Sequence, residues 1–155
     1  MKILLAIDGS PCSERAVAEV ARRPWPDDSQ LRIVSVVEPP APLVAEPYAG
    51  IGGYFEEVER LKRGQAGEVV ARAAEALRAG KGTALMGVST GVITGSPKRT
   101  IVEESEEWGA DLVVLGSHGY HTWERMLIGS VSQSVAAHAR CSVEIVRCRA
   151  EKSGV

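Results

Sequence analysis

Short continuous apolar runs alternate along this chain with longer stretches of helical periodicity. The runs are Ile3–Ile7, Leu31–Val37, Ala84–Val92, Leu112–Leu115 and Val143–Val146, the third weakened by Gly87. β-Branched runs of this length are what strands buried on both faces look like. Between them, helical patterns are predicted over Ser13–Arg22, Tyr54–Ala79, Pro97–Trp108 and Ser130–Ala139. Strands alternating with helices imply βαβ units, and so an α/β fold: a mostly parallel sheet with helices on both faces.

Several boundaries carry their own chemistry. Ser10-Pro11 and Ser96-Pro97 each read as an N-cap followed by a proline in the first helical position. A proline there lacks only an N–H that the helix start leaves unpaired anyway. Gly80 and Gly109 stand where left-handed helix endings are expected. Gly64 and Gly67 interrupt the second helical pattern at a cost of roughly 1 kcal/mol each, which predicts bending or fraying. From Glu38 to Gly53 the pattern breaks. Pro39, Pro40, Pro42 and Pro47 with Gly50, Gly52 and Gly53 predict a loop at the carboxyl edge of the sheet, a plain connection or a flap.

The bulk numbers narrow the function classes. A chain of 155 residues suits one domain, taken as residues 1–149 with a short tail at 150–155. Eighteen basic residues against twenty acidic ones, with no basic cluster, argue against nucleic acid as a partner. No run approaches the roughly 20 apolar residues of a membrane span, and the opening run meets Asp8 too soon for a secretory leader. The three cysteines, Cys12, Cys141 and Cys148, have no metal-ligand spacing and form no even-numbered framework. A cytoplasmic location follows as the expectation, with Cys12 a packed or a reactive thiol beside a helix start.

The chemistry concentrates between Asp111 and Ser132. A strand ends at Leu115 and is followed by Gly116-Ser117-His118-Gly119, nine residues, Gly129-Ser130-Val131-Ser132 and a helix. Glycines let backbone approach an anion closely, and a helix start adds unpaired N–H groups and the positive end of its dipole. The arrangement predicts a phosphate cradle, with Ser130 and Ser132 as hydroxyl donors or plain caps. The Walker pattern is absent, because Glu75 stands in the first glycine's place and Gly82 follows Lys81. Asp8-Gly9-Ser10 after the first strand is no dinucleotide fingerprint.

The string Gly116-x-x-Gly119, nine residues, Gly129-Ser130 resembles the signature of the universal stress protein family. The opening Lys2 to Ser10 and the closing Cys141 to Arg147 also resemble that family, so the likeness covers nearly the whole chain. It implies a five-stranded parallel sheet ordered 3-2-1-4-5, ATP binding without a Walker loop, and a homodimer through the last strand. It also implies individual roles. Asp8 would lie against the adenosine, with Ala6 in the adenine pocket and the Val36 backbone at the adenine edge. Leu115, Gly116, His118 and Gly119 would line the ribose and α-phosphate. Gly129, Ser130, Val131 and Ser132 would hold the outer phosphates, which would themselves carry a magnesium or manganese ion.

The chain departs from the family's pattern at Tyr120–Glu124, which makes the intervening loop bulky, and at Ser142, where the family has proline. Glu144 puts a charge in the last strand. At a two-fold dimer axis it would face its own mate, which calls for an offset register or an arginine such as Arg147 opposite.

Other residues have plainer readings. Asp8 also suits a capping turn, and His118 with His121 lacks a third metal ligand. His138 shares a face with Val131 and Val135 and reads as a core or interface residue. Glu103, Glu104, Glu106 and Glu107 read as a solvated face, and Trp25 as a packed turn residue. No catalytic residue is assigned. The leading expectation is an ATP-binding signalling module read by an unidentified protein partner. A slow ATPase or autokinase, and a nucleotide-free interaction protein, stand as alternatives.

Overall fold

The computed structural model describes residues 1–40, 52–83, 86–119 and 128–148. Its elements run β1 (Lys2–Ala6), α1 (Pro11–Arg22), β2 (Gln30–Val37), α2 (Gly52–Ala79), β3 (Gly87–Thr94), α3 (Pro97–Trp108), β4 (Leu112–Gly116), α4 (Ser130–His138) and β5 (Ser142–Val146). The five strands form one parallel sheet in the order β3-β2-β1-β4-β5, as expected.

Alternation along each strand divides the core in two. Ile3, Leu5, Leu31, Ile33, Leu112 and Val114 pack against Ala16 and Val20 of α1 and Val70, Ala73, Ala74 and Leu77 of α2. On the other face Leu4, Ala6, Val34, Val113 and Leu115 meet Ile101 of α3 and Val135 of α4. No helix among the described residues is long and apolar enough to cross a membrane.

Several boundaries differ from the sequence expectation. β3 begins at Gly87 and runs to Thr94, because it pairs residue for residue with β2 from Gln30↔Gly87 to Val37↔Thr94. Ladder pairing, not apolarity, fixes the ends of this edge strand, so Ser89 and Thr90 are accommodated. Gly52 and Gly53, expected in the loop, belong to α2; residues 41–51 of that expected loop lie outside the described residues. α2 runs unbroken through Gly64 and Gly67, and a Cβ at either would touch nothing within 4 Å.

Gly109 ends α3 in the left-handed conformation, φ 70° and ψ 47°. Gly80 does not share that conformation. It is glycine for close approach: a Cβ there would stand 2.8 Å from Thr83 Oγ1 and 3.0 Å from the Ala21 carbonyl oxygen. Ser10 caps α1 through its side chain, whereas Ser96 holds the equivalent place on α3 without a side-chain cap bond.

Polar residues expected on open surface are partly engaged. Glu104 is ion-paired with Arg32 of β2, leaving its side chain only 14% exposed. His138 is exposed, not packed in a core, with Nδ1 2.7 Å from the Ser134 carbonyl oxygen of its own helix. Trp25 is a packed turn residue, its Nε1–H donating to the Val20 carbonyl at 2.9 Å and Arg23 lying 5.3 Å from its ring centre.

Glu144 meets an arginine of its own chain. Arg23 donates to both its carboxylate oxygens, at 2.7 and 2.8 Å. The hydrogen bond to Glu144, with the attraction of its charge, raises the Arg23 pKa above the ordinary arginine value.

Cys12 and Cys148 are joined in a disulfide across 136 residues, with Cα atoms 4.9 Å apart. Neither the packed-thiol nor the free-reactive-thiol expectation for Cys12 describes this state. An odd count of cysteines and so long a separation concealed the pair.

Candidate functional site

Sheet order creates the site. The chain winds from β1 outward to β3, then returns to place β4 on the other side of β1, and ligands in such sheets bind beyond the carboxyl ends at this switch point. Ala6 of β1 stands beside Leu115 of β4 in register. Each strand then gives way to a tight segment, Asp8-Gly9-Ser10 after β1 and Ser117-His118-Gly119 after β4.

The first segment is a capping turn. Gly9 takes φ 81°, a conformation that favours glycine. The Ser10 N–H donates to Asp8 Oδ1 at 2.9 Å, and Ser10 Oγ accepts from the Ser13 N–H at 3.3 Å. Asp8 is nonetheless exposed toward the cleft. Its second carboxylate oxygen lies against Gly119, where a Cβ would come within 2.7 Å of Oδ2. The glycine keeps that approach open.

The second segment is fixed through the carbonyls of Gly116, Ser117 and His118. Ser10 Oγ donates to the His118 carbonyl at 3.2 Å, the Gly129 N–H to that of Ser117 at 2.7 Å, and Ser132 Oγ to that of Gly116 at 2.8 Å. The Ser117 N–H donates in turn to the Val146 carbonyl at 2.8 Å. Gly116 must be glycine, since a Cβ would meet the Cys12 and Ser13 backbone at 2.7 and 2.8 Å. The loop is thus clamped between the starts of α1 and α4 and the end of β5.

At α4 the first intrahelical bond runs from the Gln133 N–H to the Gly129 carbonyl, at 2.9 Å. The N–H groups of Ser130, Val131 and Ser132 precede it and have no acceptor within the helix. Gly129 is the N-cap and supplies no side-chain cap. Ser132 is buried with its hydroxyl committed to Gly116, so what it offers an anion is its N–H, not the hydroxyl expected from sequence.

Two adjoining cavities follow from this geometry. A narrow one of about 130 Å³ is lined by Ala6, Asp8, Val36, Leu115, Gly116, His118, Gly119, Val131 and Ser132 among others. A wider one of about 800 Å³ shares Asp8, Val36, Gly119, Val131 and Ser132 and adds Gly129 and Ser130. Every residue singled out in the sequence for this site therefore lines one or both.

The structure adds Val34 and Ser13, with Pro97 and Ile101 from α3, to the narrow cavity. It adds Lys62 and Arg72 of α2 to the wide one. The Ser96-Pro97 helix start was a usable signal, because it follows the carboxyl end of a strand. Nothing in the sequence marked the α2 residues. Tyr120–Glu124 and His121 lie outside the described residues.

The sequence profile described as the universal stress protein family matches residues 1–147. This chain belongs to the universal stress protein family. A protein of Staphylococcus haemolyticus that carries the family name is 33% identical over 150 residues, spanning 94% of this chain and 83% of that protein. The universal stress protein UspA from Lactobacillus plantarum superposes with a TM-score of 0.79 at 24% identity, over 95% of this chain and 97% of that one. A universal stress protein solved in complex with cAMP gives 0.66 at 24% identity, over 96% and 98% of the respective chains. Both structural neighbours share the fold of this universal stress protein.

Proposed function

We propose that this universal stress protein binds ATP as a signalling module, without turning it over. The observation that carries the reading is the convergence of the β1 end, the β4 loop and the α4 start on one cleft. There the first-turn amides of α4 lack helical acceptors. Helix starts of this kind bind phosphate through N–H groups and dipole.

In this reading the adenine occupies the narrow cavity between Ala6, Val36 and Leu115, with Asp8 beside the ribose. The outer phosphates lie along Gly129 to Ser132 and carry a magnesium or manganese ion. The cAMP complex of a structural neighbour supports an adenine nucleotide as the ligand class. A homodimer through β5 accompanies the proposal, in the cytoplasm and read by a protein partner. The internal Arg23–Glu144 pair supports that dimer, because it removes the like-charge repulsion an unpaired Glu144 would bring to a two-fold axis.

Incubation of purified protein with labelled ATP tests the reading. Retention without release of ADP is the expected result. Steady ADP release would favour an ATPase or autokinase, and no retention would favour a nucleotide-free interaction protein.

A further inference from the structure

We propose that Cys12 and Cys148 form a reversible redox pair that sets the nucleotide affinity of the cleft through Ser117 and His118. The proposal rests on the ATP-site reading given above for its ligand, but the pair itself stands on separate geometry.

The two sulfurs differ in the way thiol–disulfide exchange requires. Cys12 is buried at the second position of α1, while Cys148 is only half-buried just beyond β5. An incoming small-molecule thiolate therefore attacks the Cys148 sulfur, and Cys12 is the leaving group. A helix N-terminus favours a thiolate, and a stabilised thiolate leaves faster. The new bond joins the small molecule to Cys148, and the electron pair of the broken S–S bond stays on Cys12. A second equivalent of the small thiol then attacks the mixed disulfide, freeing the Cys148 thiol and releasing the small-molecule disulfide. In total, two small-molecule thiols are oxidised to one disulfide while the protein disulfide is reduced to the Cys12 thiolate and the Cys148 thiol, with one proton released to solvent. The reverse reaction uses a small-molecule disulfide as oxidant.

The link to the cleft is short. Ser117 Oγ lies 3.8 Å from Cys12 Sγ and 3.0 Å from His118 Nδ1, and Ser117 is itself 1% exposed. A disulfide sulfur is a weak acceptor, so in the oxidised protein the Ser117 proton is available to His118 Nδ1, leaving Nε2 as the imidazole donor. A Cys12 thiolate is a far stronger, charged acceptor and draws the Ser117 proton to itself. Ser117 then accepts from Nδ1–H, and Nε2 becomes an acceptor. His118 lines the narrow cavity, so reduction exchanges a donor for an acceptor and adds a negative charge behind the Gly116–Gly119 loop. Both changes oppose an anionic ligand.

The test compares ATP titrations by calorimetry on protein oxidised with diamide and protein reduced with dithiothreitol. Peptide mapping by mass spectrometry confirms the Cys12–Cys148 bond in the first sample. Reduction is expected to weaken ATP on the order of tenfold, within the usual range of coupling between sites. Cys148→Ser, and Cys148→Ala as a second variant, should show no dependence on reductant. Equal affinities for oxidised and reduced wild type, a redox response that persists in both variants, or no bond after oxidation would each overturn the proposal. If neither form binds ATP, the functional reading falls, and the pair is judged on the His118 ring-nitrogen NMR shifts. A tautomer change on reduction then sustains the redox pair, and unchanged shifts refute it.

Discussion

Replacing Gly129 by valine has separable effects on phosphate binding and on fold stability. Gly129 has φ −70° and ψ 159°, a backbone conformation that valine adopts without strain. The damage comes from the side chain. A Cβ would stand 2.9 Å from the Ser117 carbonyl oxygen and 3.5 Å from His118 Cα, both backbone atoms. The α4 start and the β4 loop must move apart, which as overpacking costs about 1–3 kcal/mol of stability. The same movement turns the N–H groups of Ser130, Val131 and Ser132 away from a bound phosphate. Losing two charge-assisted hydrogen bonds at about 1.5–3 kcal/mol each removes about 3–6 kcal/mol of binding, or roughly 10²–10⁴-fold in Kd. Calorimetric titration with ATP reads the second effect, and urea unfolding the first. Unfolding should remain a single cooperative transition at a lower midpoint. Wild-type ATP affinity in the variant would refute the phosphate-loop reading.

Asp8→Ala should weaken ATP more than inorganic triphosphate, and should also cost about 1 kcal/mol of stability through the lost bond from the Ser10 N–H. Equal losses for both ligands would confine Asp8 to its capping turn. Gly64→Ala should stabilise the protein by roughly 0.5–1 kcal/mol in a thermal or urea melt, since α2 continues through that position and a Cβ there meets nothing; a destabilised variant would show that the glycine has a packing role. Ile145→Pro removes a backbone donor from β5 and should give monomer or unfolded protein by light scattering. Monomeric wild type at tens of micromolar would end the dimer proposal and leave the ATP site untouched.

The sheet was legible because buried parallel strands carry their own signature. Leu112 to Leu115 is apolar on both faces, Leu31 to Val37 is largely apolar with Arg32 and Ser35 as exceptions, and both are strands. β3 was less legible because an edge strand tolerates Ser89 and Thr90, so its limits follow from its partner and not its composition. The glycines that line the cleft were legible because glycine spacing between a strand and a helix records where backbone must come close to its neighbours. What the spacing could not record is which hydroxyl is spent inside the protein. Ser132 looks like Ser130 in sequence, yet one is buried on the Gly116 carbonyl and the other is exposed. Gly80 shows a related ambiguity, since close approach and a left-handed turn select the same residue. The Arg23–Glu144 and Cys12–Cys148 contacts join residues more than a hundred positions apart, and only the folded topology brings them together.

One bond in the cleft has a consequence for the order of events during synthesis. Ser10 Oγ reaches the His118 carbonyl across 108 residues, and the same loop is held from its other side by Ser132. Long-range closures of this kind form late, because the intervening chain must first be ordered. Asp8 leaves the ribosome more than a hundred residues ahead of α4 and waits, without a cleft to line, until that helix has emerged. A product truncated before α4 would therefore carry the Asp8 turn but lack the α4 side of the cleft.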